Sequence, residues 1–148
     1  MTGTSALYQE IILDHNRAPR NFRRLEDADR TAEGYNPLCG DQFTVFVKLD
    51  GDRVADVSFL GKGCAISMAA GSLMTTLIKG RKKSEAAELM DLFQRLVTGQ
   101  TGAGGSVPPQ LAPFNGVSGF PERVKCATLP WHALKAALES RSEPVSTE

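Results

Sequence analysis

The chain has 148 residues, 17 Lys and Arg against 17 Asp and Glu, 41% hydrophobic residues and three cysteines. That length supports one domain with its own core, and the balanced charge excludes the excess of Lys and Arg on which nucleic-acid binding rests. No run approaches the roughly 18 apolar residues of a membrane span, and the N-terminal stretch lacks the basic start, apolar stretch and cleavage site of a leader. The expected location is therefore the cytoplasm, where an odd number of cysteines points to thiol chemistry or metal ligation and away from disulfides.

The spacing of Tyr8, Ile11, Ile12 and His15 predicts an opening amphipathic helix that Pro19 stops. An arginine-rich connection, Arg17 to Arg30, reads as a solvated loop, with a basic partner contact as the alternative. From Asp41 the period becomes two: Phe43, Val45, Val47 and Leu49 form one face, and after Asp50-Gly51-Asp52 the alternation resumes with Ala55, Val57 and Phe59. This is a hairpin. Odd-numbered apolar residues on both strands favour a three-residue turn at 50–52 with Gly51 left-handed, pairing Val45 with Val57 and Phe43 with Phe59. Carried outward, that register sets Cys39 across from Gly63, beside Cys64. A short strand near Thr31 to Tyr35 would extend the pair.

Cys64 leads into a helical run that ends at Lys79-Gly80, and Ser84 can cap another helix carrying Ala86, Leu89, Met90, Phe93, Leu96 and Val97. Residues 99–121, with six Gly and four Pro, read as a surface loop or loosely structured insertion. A last helix is expected over Ala127 to Glu139 with Pro130 in its first turn, which would place Cys126 at or just before its N-terminus. The polar tail 140–148 is expected to lack fixed structure. The predicted architecture is one α+β domain, 1–148, with a small antiparallel sheet of about three strands covered by helices on one face.

Each cysteine thus sits at the end of an element, two of them where a helix start and neighbouring Lys or Arg would favour the thiolate. Asp41 follows Cys39 by two residues, so on an extended chain both side chains point the same way. Three thiolates and one carboxylate suit a four-coordinate zinc site and equally an iron–sulfur cluster. Lys62, Arg123 and Lys125 are placed to balance the resulting negative charge. His15 and His132 read as structural.

The strings Asn36-Pro37-Leu38-Cys39-Gly40-Asp41, Gly61-Lys62-Gly63-Cys64-Ala65-Ile66-Ser67 and Arg123-Val124-Lys125-Cys126-Ala127-Thr128-Leu129-Pro130-Trp131 together resemble the NifU N-terminal/IscU family of iron–sulfur cluster assembly proteins. The resemblance runs from about Leu7 to Leu138 and implies a SufE/NifU-like fold. Two features differ from the IscU branch: Lys125 stands where that branch has a histidine, and Phe120-Pro121-Glu122-Arg123 replaces its Leu-Pro-Pro-Val-Lys chaperone motif. The insertion and Lys125 instead resemble the SufU branch, whose members bind zinc and accept sulfur.

By that resemblance Cys39, Asp41, Cys64 and Cys126 would ligate zinc, and Cys39 would take persulfide sulfur from a SufS-type cysteine desulfurase, a partner histidine replacing it on the metal. Arg123 and Lys125 would be supporting charges, and a SUF scaffold or apo-protein would receive the sulfur. The alternative is a scaffold that builds an iron–sulfur cluster on Cys39, Cys64 and Cys126 with Asp41 as the weak ligand. A purely structural zinc module is the third reading.

Overall fold

A computed structural model describes residues 3–37, 40–99, 108, 111, 114, 117–139 and 145–146, with no side chains for 3–8 or 145–146. The elements run α1 (Gly3–Arg17), β1 (Arg30–Asn36), β2 (Asp41–Asp50), β3 (Arg53–Lys62), α2 (Ala65–Ile78), α3 (Lys83–Val97), α4 (Pro121–Leu138) and β4 (Val145–Ser146). The sheet order is β3-β2-β1-β4, antiparallel among the first three. Phe43, Val45 and Val47 of β2 and Val57 and Phe59 of β3 are fully buried on one face, against which α2 and α4 pack. Each such side chain contributes roughly 1.5–3 kcal/mol on leaving water. On the opposite face, Phe46 lies beneath the guanidinium of Arg24 at 5.9 Å.

The hairpin forms with its apolar face inward, but in a register two residues from the expected one: Val47 pairs with Val57, Val45 with Phe59 and Phe43 with Gly61. The cause is a β-bulge. Lys48 pairs with Asp56 and Leu49 with Val54, so Ala55 is the extra residue, and Asp50 pairs with Arg53 across a two-residue turn in which Gly51 has φ 60°. Ala55 is consequently exposed and Val54 takes the inward place. A slide of two residues preserves the faces, whereas a slide of one would have turned them inside out.

Other corrections concern the second half. The last helix begins at Pro121, not Ala127, so Pro130 lies in its interior and Cys126 in its second turn. Proline at the first helical position loses nothing, since that N–H has no intrahelical acceptor. Pro130 costs about 3 kcal/mol, which the burial of Leu129, Trp131 and Leu134 offsets. The third helix starts at Lys83, where the Glu85 carboxylate accepts the Lys82 N–H at 3.0 Å, so Ser84 lies inside the first turn and is not the cap.

The insertion is not wholly on the surface: Leu111, Phe114 and Val117 are fully buried, and Phe114 meets the Phe93 ring at 5.6 Å. Phe93 in turn stacks on Trp131 at 4.8 Å, which joins α3 to α4. In the tail, Val145 and Ser146 pair in parallel with Gly34 and Tyr35 of β1. Three arginines of the 17–30 connection are engaged within the chain, Arg20 with Asp14, Arg23 with Asp56 and Arg24 with Glu26. Among the described residues no helix is long and apolar enough to cross a membrane.

Candidate metal centre

At one end of the sheet β1 stops at Asn36 and β2 starts at Asp41, and these two residues are strand partners, so 37–40 is a four-residue hairpin loop. Cys39 belongs to that loop and lies outside the described residues, as does its expected pairing with Gly63. In the observed register it is Asp41 that meets the far strand. The Cys64 N–H donates to Asp41 Oδ1 at 2.8 Å, just past the end of β3.

Gly63 makes this approach feasible. A Cβ there would lie 2.7 Å from Asp41 Oδ1 and 2.9 Å from the Phe43 ring, and closer still to Ser67 Oγ. Cys64 is the N-cap of α2, with extended backbone (φ −70°, ψ 169°), and Cys126 comes in from α4. Asp41 is 2% exposed and Cys126 3%, while Cys64 is half-buried.

The ligating atoms of Asp41, Cys64 and Cys126 all lie within 4.8 Å of one another. Zn–S bonds of about 2.3 Å and Zn–O bonds of about 2.0–2.2 Å in a tetrahedron set ligand atoms roughly 3.5–3.8 Å apart. Small side-chain rotations therefore close this set on one ion, and the sulfur-rich donor set suits zinc or an iron–sulfur cluster. The Cys64 thiol is pushed down to about 6, chiefly because Cys126 hydrogen-bonds to its thiolate. Burial opposes this, the Ser67 N–H and hydroxyl assist, and the Asp41 charge works against it. Cys64 is then mostly thiolate at neutral pH, the form that binds metals and attacks electrophiles.

Of the expected supporting cations, Arg123 precedes Cys126 by three residues on α4 and so shares its side of the helix. It is exposed, with its guanidinium 4.6 Å from the Phe120 ring. Lys125 is half-buried and Lys62 exposed, and among the described residues none of the three is in an ion pair. His15 bonds Ser72 Oγ through Nδ1 at 2.6 Å, which fits its structural reading. His132 is held below the usual imidazole range by burial and then by Lys135.

The sequence reading passed over Asn36, whose Nδ2 lies 3.3 Å from Asp41 Oδ2 and 3.5 Å from Cys126 Sγ. The signal was present: with Ala32 and Gly34 it occupies the inward parity of β1, where a polar side chain must find partners.

Known proteins resemble this chain over most of its length. The family described as "NifU-like N terminal domain" matches residues 7–143. The chain is 41% identical over 129 residues to the zinc-dependent sulfurtransferase SufU of Bacillus subtilis, covering 87% of each chain. It is 38% identical over 133 residues to the iron–sulfur cluster assembly scaffold protein IscU of Streptococcus pyogenes, covering 90% of this chain and 83% of that one. A crystal structure from Fervidobacterium islandicum, described as an iron–sulfur cluster assembly scaffold protein for the SUF system, superposes with a TM-score of 0.78 at 35% identity, covering 92% of this chain and 99% of the other.

Proposed function

The chain belongs to the family of NifU-like N-terminal domains, and on that premise we propose that it accepts sulfur from a cysteine desulfurase for iron–sulfur cluster assembly, at a zinc site formed by Cys39, Asp41, Cys64 and Cys126. The observation that carries this reading is the convergence of Asp41, Cys64 and Cys126 at one point, two residues along the chain from a third cysteine. When bound, zinc would keep the thiols ionised and partly neutralise them.

Cys39 is the acceptor. Three of the ligands sit on a strand or on helices, whereas Cys39 sits in the four-residue loop between strand partners, so it can leave with the least disturbance. Its thiolate attacks the outer sulfur of the desulfurase persulfide. A new S–S bond forms on Cys39, the old one breaks, and its electron pair remains on the desulfurase cysteine as a thiolate, so no oxidant is consumed. Arg123, exposed on the same side of α4 as Cys126, with Lys125 and Lys62, steadies the anionic groups and offers contacts to the desulfurase. That partner is of the SufS type and supplies a histidine to the place Cys39 leaves; the sulfur passes to a SUF scaffold or apo-protein, in the cytoplasm.

The test is desulfurase turnover with the Cys39→Ala protein. Persulfide transfer is abolished while the circular dichroism spectrum is retained; near-normal turnover would sink the assignment. A second reading, a scaffold that assembles and releases a cluster, is favoured by Asp41, a hard oxygen donor among sulfurs and therefore the weak ligand. Metal analysis of protein purified without added iron separates the two. Stoichiometric zinc with strong stimulation of the desulfurase supports the relay, and a brown, cluster-bearing protein supports the scaffold.

A further inference from the structure

Asn36 is 1% exposed on the inward face of β1. An amide in such a place is costly, since a buried polar group without a partner loses about 1–3 kcal/mol. Its Nδ2 reaches Asp41 Oδ2 at 3.3 Å and Cys126 Sγ at 3.5 Å, a normal separation for a bond to sulfur. Both partners are acceptors when ionised, and only the amide nitrogen has protons to give, so its two N–H groups serve one ligand each. The Asn36 Oδ1 is buried with no partner among the described residues. The amide is therefore turned toward the ligands at the expense of its own oxygen. The main chain of Asn36 has a second task, since its carbonyl accepts the Gly40 N–H at 2.9 Å and closes the loop that carries Cys39, with Gly40 left-handed at φ 74°.

We infer that Asn36 is the positioning residue of the metal centre: its side chain fixes Asp41 and Cys126 as the ligands that stay, while its main chain closes the loop bearing the ligand that moves. The moving role of Cys39 rests on the sulfur-acceptor reading; the grip on Asp41 and Cys126 does not. Asp41 is held at both oxygens, Oδ1 by the Cys64 N–H and Oδ2 by the amide, so it cannot turn away when a neighbouring ligand departs. The two N–H donors also spread the negative charge of the ligands without adding another ligand. An aspartate at this position would bring no donors and a like charge.

The test uses the full chain and compares wild type with Asn36→Leu, which keeps the approximate volume and removes both donors, and Asn36→Asp, which keeps the shape and replaces donors with acceptors. Zinc affinity is measured by chelator competition, and the sulfur–metal bond is read from the charge-transfer band of the cobalt-loaded protein. Zinc affinity falls about 10–100-fold in both variants. In Asn36→Leu the thiolate-to-cobalt band moves to longer wavelength, because a sulfur relieved of its N–H donor gives up electrons more easily. A lowered Tm with affinity and band unchanged, or no change at all, overturns the assignment. Should Asn36→Leu not fold, the affinity of Asn36→Asp decides alone. Desulfurase turnover keeps the two claims apart: wild-type protein that binds zinc without raising turnover defeats the sulfur-acceptor reading and leaves the Asn36 result standing.

Discussion

The two helices that meet at the metal centre hold their cysteines in opposite ways. Cys64 caps α2, half-buried, with the Ser67 N–H and hydroxyl beside it. Cys126 is enclosed in the second turn of α4, against the Asn36 amide. The difference divides the work: Cys64 is the thiolate, and Cys126 is the donor that makes it one. A change at Cys126 is therefore felt at Cys64.

Replacing Cys126 breaks this comparison most severely. Cys126→Ala removes a ligand and also the hydrogen bond that holds Cys64 down, so zinc is no longer retained through gel filtration. In the metal-free protein, Cys64 is thiolate above pH 6 and loses that form as pH falls through about 6. Without Cys126 its pKa returns toward the usual value of about 8.5, and alkylation of Cys64 at pH 7 slows by up to roughly thirty-fold. The measurement is the rate against pH, with the alkylated peptide identified by mass spectrometry. A midpoint that stays near 6 would assign the effect to the α2 N-terminus and Ser67 instead.

A milder perturbation contrasts two glycines. On the α2 side, a methyl group at Gly63 would meet Asp41 Oδ1 and the Phe43 ring, groups already fixed by a hydrogen bond and by the core. On the α4 side, a methyl group at Gly34 would meet Leu129 Cδ1 at 2.9 Å, the tip of a flexible side chain. Gly63→Ala accordingly costs about 1–3 kcal/mol of overpacking, read from the denaturation midpoint, and weakens zinc retention. Gly34→Ala costs less and leaves zinc retention unchanged. Equal costs would show that the sheet end is as pliant as the helix side chain.

The same contrast explains what could be read from the sequence. Cys64 was legible because the change from period two to period 3.6 falls at a glycine pair and marks both the strand end and the helix start. Cys126 was located, but its setting was not: Pro130 looked like a helix start, and only the tertiary burial of its neighbours lets the helix run through it. The register slid because a bulge at Ala55 depends on packing at Val54, which alternation alone does not reveal. Leu111, Phe114 and Val117, spaced by three amid Gly and Pro, carried a turn-by-turn signal that composition outweighed. Asn36 was hidden in plain view inside a motif whose cysteine and aspartate drew the chemistry.

The smallest effect tests how α2 is held from behind. His15 on α1 meets Ser72 Oγ of α2 through Nδ1 at 2.6 Å, and the same Oγ accepts the Arg20 N–H at 2.8 Å. His15 is held below its usual range first by burial, then by the Arg20 charge. A folded pKa below the unfolded value of about 6.5 means that the unfolded chain binds its proton first. Above that pH His15 imposes no penalty; below it, stability declines until the folded imidazole also titrates. Acidification from pH 7.5 to 5.5 therefore lowers the Tm of the metal-free protein, and His15→Gln flattens that decline by a few degrees at most. A slope unchanged in His15→Gln would move the sensitivity to the other groups whose pKa the fold lowers, the His132 imidazole on α4 and the Cys64 thiol.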